Sequence, residues 1–158
     1  MSTVFLLFFQ SFSRSGPVHS TNSGGNTTDM KSLKLLFVFE LGALGYGGIE
    51  MLWSGGTHWT MLLLGGVCFL CIYLITILTF FVPPVKWMLC ALIVTALELL
   101  CGIIVNLRLG WNVWDYSAMP GNLLGQICPQ YALGWYLLSV PCSALSAAIE
   151  KNIFEKVA

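Results

Sequence analysis

The sequence predicts an all-α integral membrane protein with four transmembrane helices, and three observations predict it. Only 9% of the 158 residues are charged and 57% are hydrophobic, against about a quarter charged in an ordinary soluble domain. A chain so short of charge cannot cover a water-facing surface. The apolar residues gather in four runs, each long enough at ~1.5 Å per residue to cross a hydrocarbon core of ~30 Å. Polar connectors and prolines separate the runs, notably SGGTHW at 54–59 and Pro83-Pro84. The length allows one domain. Seven basic and seven acidic residues cancel, which leaves no electrostatic footprint for nucleic acid.

Residues 1–30 differ from the rest. VFLLFF at 4–9 is shorter than the apolar core of a signal peptide and lacks a basic start. SRSGPVHSTNSGGNTTDM is Ser/Thr/Gly/Asn-rich and reads as a disordered or spurious N-terminal extension. Met30 opens MKSLKLLFVFE, a basic flank running into an apolar helix, so the functional protein is expected to begin near there. The four-helix membrane domain is then 31–158. The alternative is a genuine flexible tail.

The first span is expected at about 33–53. Ala43, Gly47 and Glu50 follow i, i+4, i+7 and share a face. Small residues there allow close helix approach and aim Glu50 into the bundle. The second span covers about 60–82 and ends at Pro83-Pro84, which lack amide hydrogens. The third covers about 87–106. The fourth runs from about 122 to 149 with Pro129 and Pro141 inside it, and a kink is expected at Pro129 with 122–128 as an angled or partly re-entrant entry. On that reading Asn122 and Gln126 share a helix face, Asn122 caps the span, and Gly121 and Gly125 form a GxxxG packing motif.

Orientation follows from Lys and Arg near the span ends. One side carries Lys31, Lys34, Lys86, Lys151 and Lys156; the other carries Arg108 alone, with His58. The bias puts both termini in the cytoplasm. Glu40 is expected near the inner interface, reaching water or Lys34.

Of the six cysteines, Cys68 and Cys71 form a CxxC inside the apolar VCFLCIYL. A redox pair or zinc site needs thiolates and water access, so these read as packing residues. No metal and no cofactor are expected.

The stretch from Asn106 to Gln130 is the one long polar interruption, NLRLGWNVWDYSAMPGNLLGQICPQ. A connector of this length is functional or disordered, and its two Trp and Tyr argue against disorder. The candidate binding residues are Glu50, His58, Glu98, Asn106, Trp114, Asp115, Tyr116, Asn122 and Gln126. Glu98 lies mid-span on a small-polar stripe with Ala91, Thr95, Gly102 and Asn106. Burial is expected to favour its protonated form, and an intramembrane acid is either a proton- or cation-linked site or interhelical glue. Glu50, His58 and Asp115 are read either as a polar cluster on the outer side or as separately solvated groups. Trp53, Trp59, Trp111, Trp114 and Tyr116 form an interfacial aromatic belt or shape a binding mouth. Asp115 is expected either to cap a turn through Ser117 or to accept a hydrogen bond from His58, as the loop docks on the first hairpin.

The chain holds no phosphate loop, HExxH or nucleophile elbow, and no catalytic residue is assigned. Two blocks, GYGGIEMLWSGGTHWTMLLLGG (45–66) and ELLCGIIVNLRLGWNVWDYSAMPGNLLGQICPQYALGW (98–135), resemble the ABC-transporter type IV (CmpB-like) permease family of small bacterial membrane proteins. Ser54 stands where that pattern commonly has a basic residue, so the resemblance supplies no ion pair for Glu50. It implies a multi-pass protein of the bacterial cytoplasmic membrane and a permease-like component of an ABC-type transport system. Without a Walker A motif the chain is not the ATPase, so the implied partners are an ATPase subunit or further copies of the chain, within the lipid bilayer. The alternatives are a membrane-embedded enzyme acting on a lipid or lipid-linked substrate at the outer interface, or an assembly subunit.

Overall fold

The computed structural model describes residues 25–154, with side chains from Met30 onward. The expectations for residues 1–24 lie outside the described residues. The chain divides into two compact units, Met1–Lys31 and Ser32–Ala158, and the second carries everything discussed below.

Four helices account for the membrane spans: α1 (Gly25–Ser54), α2 (Trp59–Leu78), α3 (Pro83–Gly102) and α4 (Pro129–Ile149). Two are prolonged by wider π-helical turns, α3 through Ile103–Arg108 and α4 through Glu150–Phe154. The stretches long and apolar enough to cross a bilayer are Met30–Ser54, Trp59–Leu78, Pro83–Arg108 and Pro129–Phe154. The protein is an all-helical, multi-pass membrane protein. Among the described residues the only β-type pairing is one isolated antiparallel bridge, Leu123 with Ile127.

The helix starts follow local rules. His58 is extended (φ −103°, ψ 145°) and its ring accepts from the Thr60 amide, capping α2. α2 ends at Leu78, four residues earlier than expected, and Thr79–Val82 is non-helical. Pro83 then opens α3 behind an extended Val82. Proline at a first helical position loses no hydrogen bond, since that amide has no intrahelical partner.

The same rule corrects the fourth span. It begins at Pro129, not near 122, behind an extended Cys128 (φ −148°, ψ 158°). Pro129 therefore starts a helix where a kink was expected, because its ring disfavours helical backbone at the residue before it. Residues 122–128 belong to the loop.

α1 packs on α2 through glycines. A Cβ on Gly42 would meet the Gly65 carbonyl oxygen at 2.8 Å, Gly47 lies against Leu62, and Gly66 lies against the Phe39 ring. Removing side chains at the crossing lets backbones approach where lipid offers no hydrophobic drive. Met61, Leu64, Cys68, Ile72, Ile75, Cys90 and Val94 form the core between α2 and α3. The six cysteines are unpaired thiols and Cys68 and Cys90 are buried within that core, consistent with a packing role. Leu44, Leu63, Leu92 and Leu137 are exposed and face the bilayer, where exposure of leucine is no cost.

At the end of the bundle remote from the long loop, Lys34 of α1 pairs with Glu150 at 2.6 Å. The Tyr73 hydroxyl donates to the same carboxylate, and the Lys34 ammonium lies 4.7 Å from the Phe154 ring centroid. Lys34 thus serves Glu150 rather than Glu40, which is exposed. Glu150 escaped the sequence reading because it sits just past the expected end of the fourth span at Ile149, where a solvated acid is the ordinary case.

Candidate functional site, an intramembrane carboxylate beneath a folded-in loop

The α3 stripe faces the bundle interior. Ala91, Glu98, Gly102 and Asn106 are buried and Thr95 is half-buried, as spacings near 3.6 residues require. Glu98 is 1% exposed. Its two oxygens are held from different elements: Oε1 accepts from the Tyr116 hydroxyl at 3.0 Å and Oε2 from the Trp135 indole N–H at 2.8 Å. Each donor is fixed by a further ring. Tyr116 stacks on Tyr131 (4.5 Å between centroids, 19° between planes), and Trp135 on Tyr46 of α1 (6.0 Å, 26°). One carboxylate therefore ties α3, α4 and the loop together, and an aromatic pair extends the contact to α1.

About two turns further along, Asn106 holds the loop in place. Its Nδ2 donates to the Trp114 carbonyl at 2.9 Å and to Gln126 Oε1 at 2.7 Å, while its Oδ1 accepts from the Val113 amide at 2.7 Å. Gln126 completes the set by donating to the Leu124 carbonyl at 3.0 Å and accepting the Trp114 indole N–H on its own carbonyl at 3.0 Å. Asn106 and Gln126 are 6% and 3% exposed. Backbone groups at this depth have no water to bond, so side-chain amides carrying both a donor and an acceptor must serve them. The position of Gln126 explains Gly102: a Cβ there would lie 3.0 Å from the Cβ and Cγ of Gln126. The α3 helix widens into its π turn at this point, a local distortion often found at sites where a side chain must be re-aimed.

The rest of the loop folds on itself. Asp115 Oδ1 accepts from the Ser117 amide at 2.8 Å and its hydroxyl at 2.5 Å. These two bonds hold the exposed Asp115 carboxyl below the usual aspartate value. Burial beside the Glu98 carboxyl pushes the Tyr116 phenol well above its usual value, so it remains a donor. Asn122 donates to the Ser117 and Met119 carbonyls and accepts from the Gly125 amide. It caps an internal loop turn and not α4. Gly121 and Gly125 have φ of +73° and +68°; they are turn residues, and the expected GxxxG helix contact does not exist because 121–125 is not helical. A Cβ on Gly125 would lie 2.9 Å from Asp115 Oδ1.

At the rim, the loop docks on the first hairpin through Trp111, whose ring centroid lies 5.5 Å from His58 and 5.8 Å from Trp59. The expected docking is present, through an aromatic contact. Instead of a shared polar cluster, the three rim side chains are committed separately. His58 Nδ1 lies 2.8 Å from Thr60 Oγ1, Glu50 accepts from the Thr57 hydroxyl, and Asp115 serves Ser117. Of Asp115's two expected arrangements, the turn through Ser117 is the one formed. Glu50 bends back to its own connector and is half-exposed, not aimed into the bundle.

Of the named candidates, Glu98 and Tyr116 form one inward-facing hydrogen-bonded set and Asn106, Trp114 and Gln126 a second, whereas Glu50, His58, Asp115 and Asn122 join neither. Tyr116 left the expected aromatic belt for the interior. Sequence reasoning missed Trp135, Tyr131 and Tyr46. Trp135 carried a usable signal: an indole well inside an apolar span needs an acceptor for its N–H, and Glu98 is the buried acid available.

No curated protein and no solved structure matches the chain. A family model does match, over residues 44–157, a range that includes the α1–α2 connector, the whole of α3, the folded-in loop and α4. By that match the chain belongs to the family described as "Putative ABC-transporter type IV".

Proposed function

We propose that this protein is the permease-like membrane component of an ABC-type transport system, with ATP hydrolysis supplied by a separate subunit. The observation that carries the reading, beside family membership, is Glu98: a carboxylate buried mid-span, held by neutral donors from the loop and from α4. A charged group at that depth is costly, and in membrane proteins such groups mark substrate or ion pathways. The enzyme reading drew on a shared rim cluster of Glu50, His58, Asp115 and Asn122, and each of these side chains is engaged in its own turn. The test is purification of the tagged chain from its native membrane in mild detergent. A subunit carrying a Walker A motif and vanadate-sensitive ATPase activity is expected to co-purify in fixed ratio. Recovery of the chain with copies of itself alone would overturn the reading.

We further propose that the membrane is the bacterial cytoplasmic membrane and that both termini are cytoplasmic, from the Lys/Arg bias. The connector at 55–58 and the 109–128 loop then face outward together. In a background lacking native cysteines, Ser54→Cys and Ser117→Cys are expected to react with an impermeant thiol reagent on intact cells. Lys86→Cys is expected to react only after the membrane is opened. The reverse pattern would invert the orientation.

A further inference from the structure

Between α1, α2 and α4 lies a partly open cleft of about 250 Å³ that the network around Glu98 does not occupy. Leu41, Ile49, Phe69 and Leu145 give it apolar walls, and Tyr46 and Trp135 form one side. It sits within the membrane-spanning stretches, so the bilayer is the medium from which it fills. Glu98 does not itself line the cleft, and the link to the carboxylate runs through Trp135. The Trp135 ring that lines the cleft donates its N–H to Glu98, and Val94 of the cleft wall lies one helical turn from Glu98 on the same face of α3.

Two features select the occupant. Among the described residues no Lys, Arg or His forms an ion pair with Glu98, so its charge, when ionised, meets only the neutral donors Tyr116 and Trp135. A buried carboxyl without a counter-charge is neutralised either by a proton or by a cation brought beside it. Tyr46 and Trp135 line the cleft as a stacked pair, and aromatic rings attract cations, most of all where water is excluded. Apolar walls, aromatic rings and one carboxylate behind them are the recognition set for a hydrophobic cation.

We propose that the cleft binds a hydrophobic organic cation entering from the bilayer, with its charged centre against Tyr46 and Trp135 and neutralised by Glu98. As an assignment of the transported substrate class this rests on the permease reading; as an assignment of a binding site it does not.

The experiment uses tetraphenylphosphonium and tetraphenylborate, ions of nearly the same size and hydrophobicity and of opposite charge. Binding of each is measured by equilibrium dialysis to the purified protein in lipid nanodiscs. With binding to protein-free nanodiscs subtracted, saturable binding of tetraphenylphosphonium is expected, with tetraphenylborate at least about tenfold weaker. Glu98→Gln keeps an acceptor for Trp135 and is expected to weaken cation binding at least about tenfold. Gly45 lines the cleft and a Cβ there would meet nothing within 4 Å, so Gly45→Leu is expected to block binding without touching Glu98. That second variant decides the matter if Glu98→Gln fails to fold. Equal binding of the two ions, as for a cleft that takes any acyl chain, would overturn the proposal. So would unchanged cation binding in a folded Glu98→Gln or in Gly45→Leu. Failure here with an ATPase still co-purifying removes only the cation site; success without an ATPase removes only the ABC-type role.

Discussion

Asn106→Leu is expected to release the 109–128 loop from the bundle and to be among the most damaging single changes in the chain. Leucine keeps the fork at Cγ but replaces the amide by two bulkier methyl groups, so the hydrogen bonds are lost and some crowding is added. The Val113 amide, the Trp114 carbonyl and Gln126 Oε1 each lose a partner. A buried polar group left unpaired costs about 1–3 kcal/mol, and with some re-pairing to water the expected destabilisation is about 3 kcal/mol. The check is thermal unfolding in detergent together with limited proteolysis: new cleavage between Trp111 and Gln126 is expected while the helices stay protected. Asn122→Ala, which removes bonds from a partly exposed turn, is expected to cost about 1 kcal/mol. Equal effects of the two variants would show that Asn106 has no special place.

The second large effect separates shape from charge at Glu98. Glu98→Leu leaves the Trp135 N–H and the Tyr116 hydroxyl without their acceptor. Removing the desolvated carboxylate offsets part of that loss, so a net destabilisation of about 2–4 kcal/mol is expected, with Tyr116 swinging outward. Glu98→Gln behaves differently. Its amide oxygen accepts from Trp135 and its amide N–H donates to the phenol oxygen of Tyr116, which is able to accept. Stability within about 1 kcal/mol of the parent is expected. Near-ultraviolet circular dichroism, sensitive to Trp135 and Tyr116, and thermal melts distinguish the two variants. If Glu98 is interhelical glue alone, the Gln variant also keeps whatever activity the protein has; a folded Gln variant without that activity identifies the carboxylate as functional. Unfolding of Glu98→Gln would contradict both roles.

Helix count and type were legible because composition decides them. In a bilayer the backbone must satisfy itself, so long apolar runs become helices whatever their detailed sequence. The α3 stripe was legible for a similar reason: five small or polar residues at helical spacing in an apolar span have one face to share. Boundaries failed where proline was taken as an interruption rather than a start. Pro83 and Pro129 both open helices, and the misplacement of the fourth span turned Gly121, Asn122, Gly125 and Gln126 from loop residues into helix residues. Positive φ at Gly121, Leu124 and Gly125 records how far that segment is from helical backbone.

The composition of the chain determined by itself that this protein lives in a membrane as four helices, that Glu98 and Asn106 face inward, and that 106–130 is an ordered segment of consequence. Each of these depends on transfer energy or on helical period, which are properties of residues in sequence. Tertiary structure alone decided which partners those residues meet. It brought Tyr116 and Trp135, 18 and 37 positions from Glu98, to one carboxylate, and it separated Asp115 from His58 although the two share an end of the bundle. Hydrogen bonds have a reach of about 3 Å. Which groups fall within it depends on how helices cross and how a loop folds back, and no spacing along the chain encodes that.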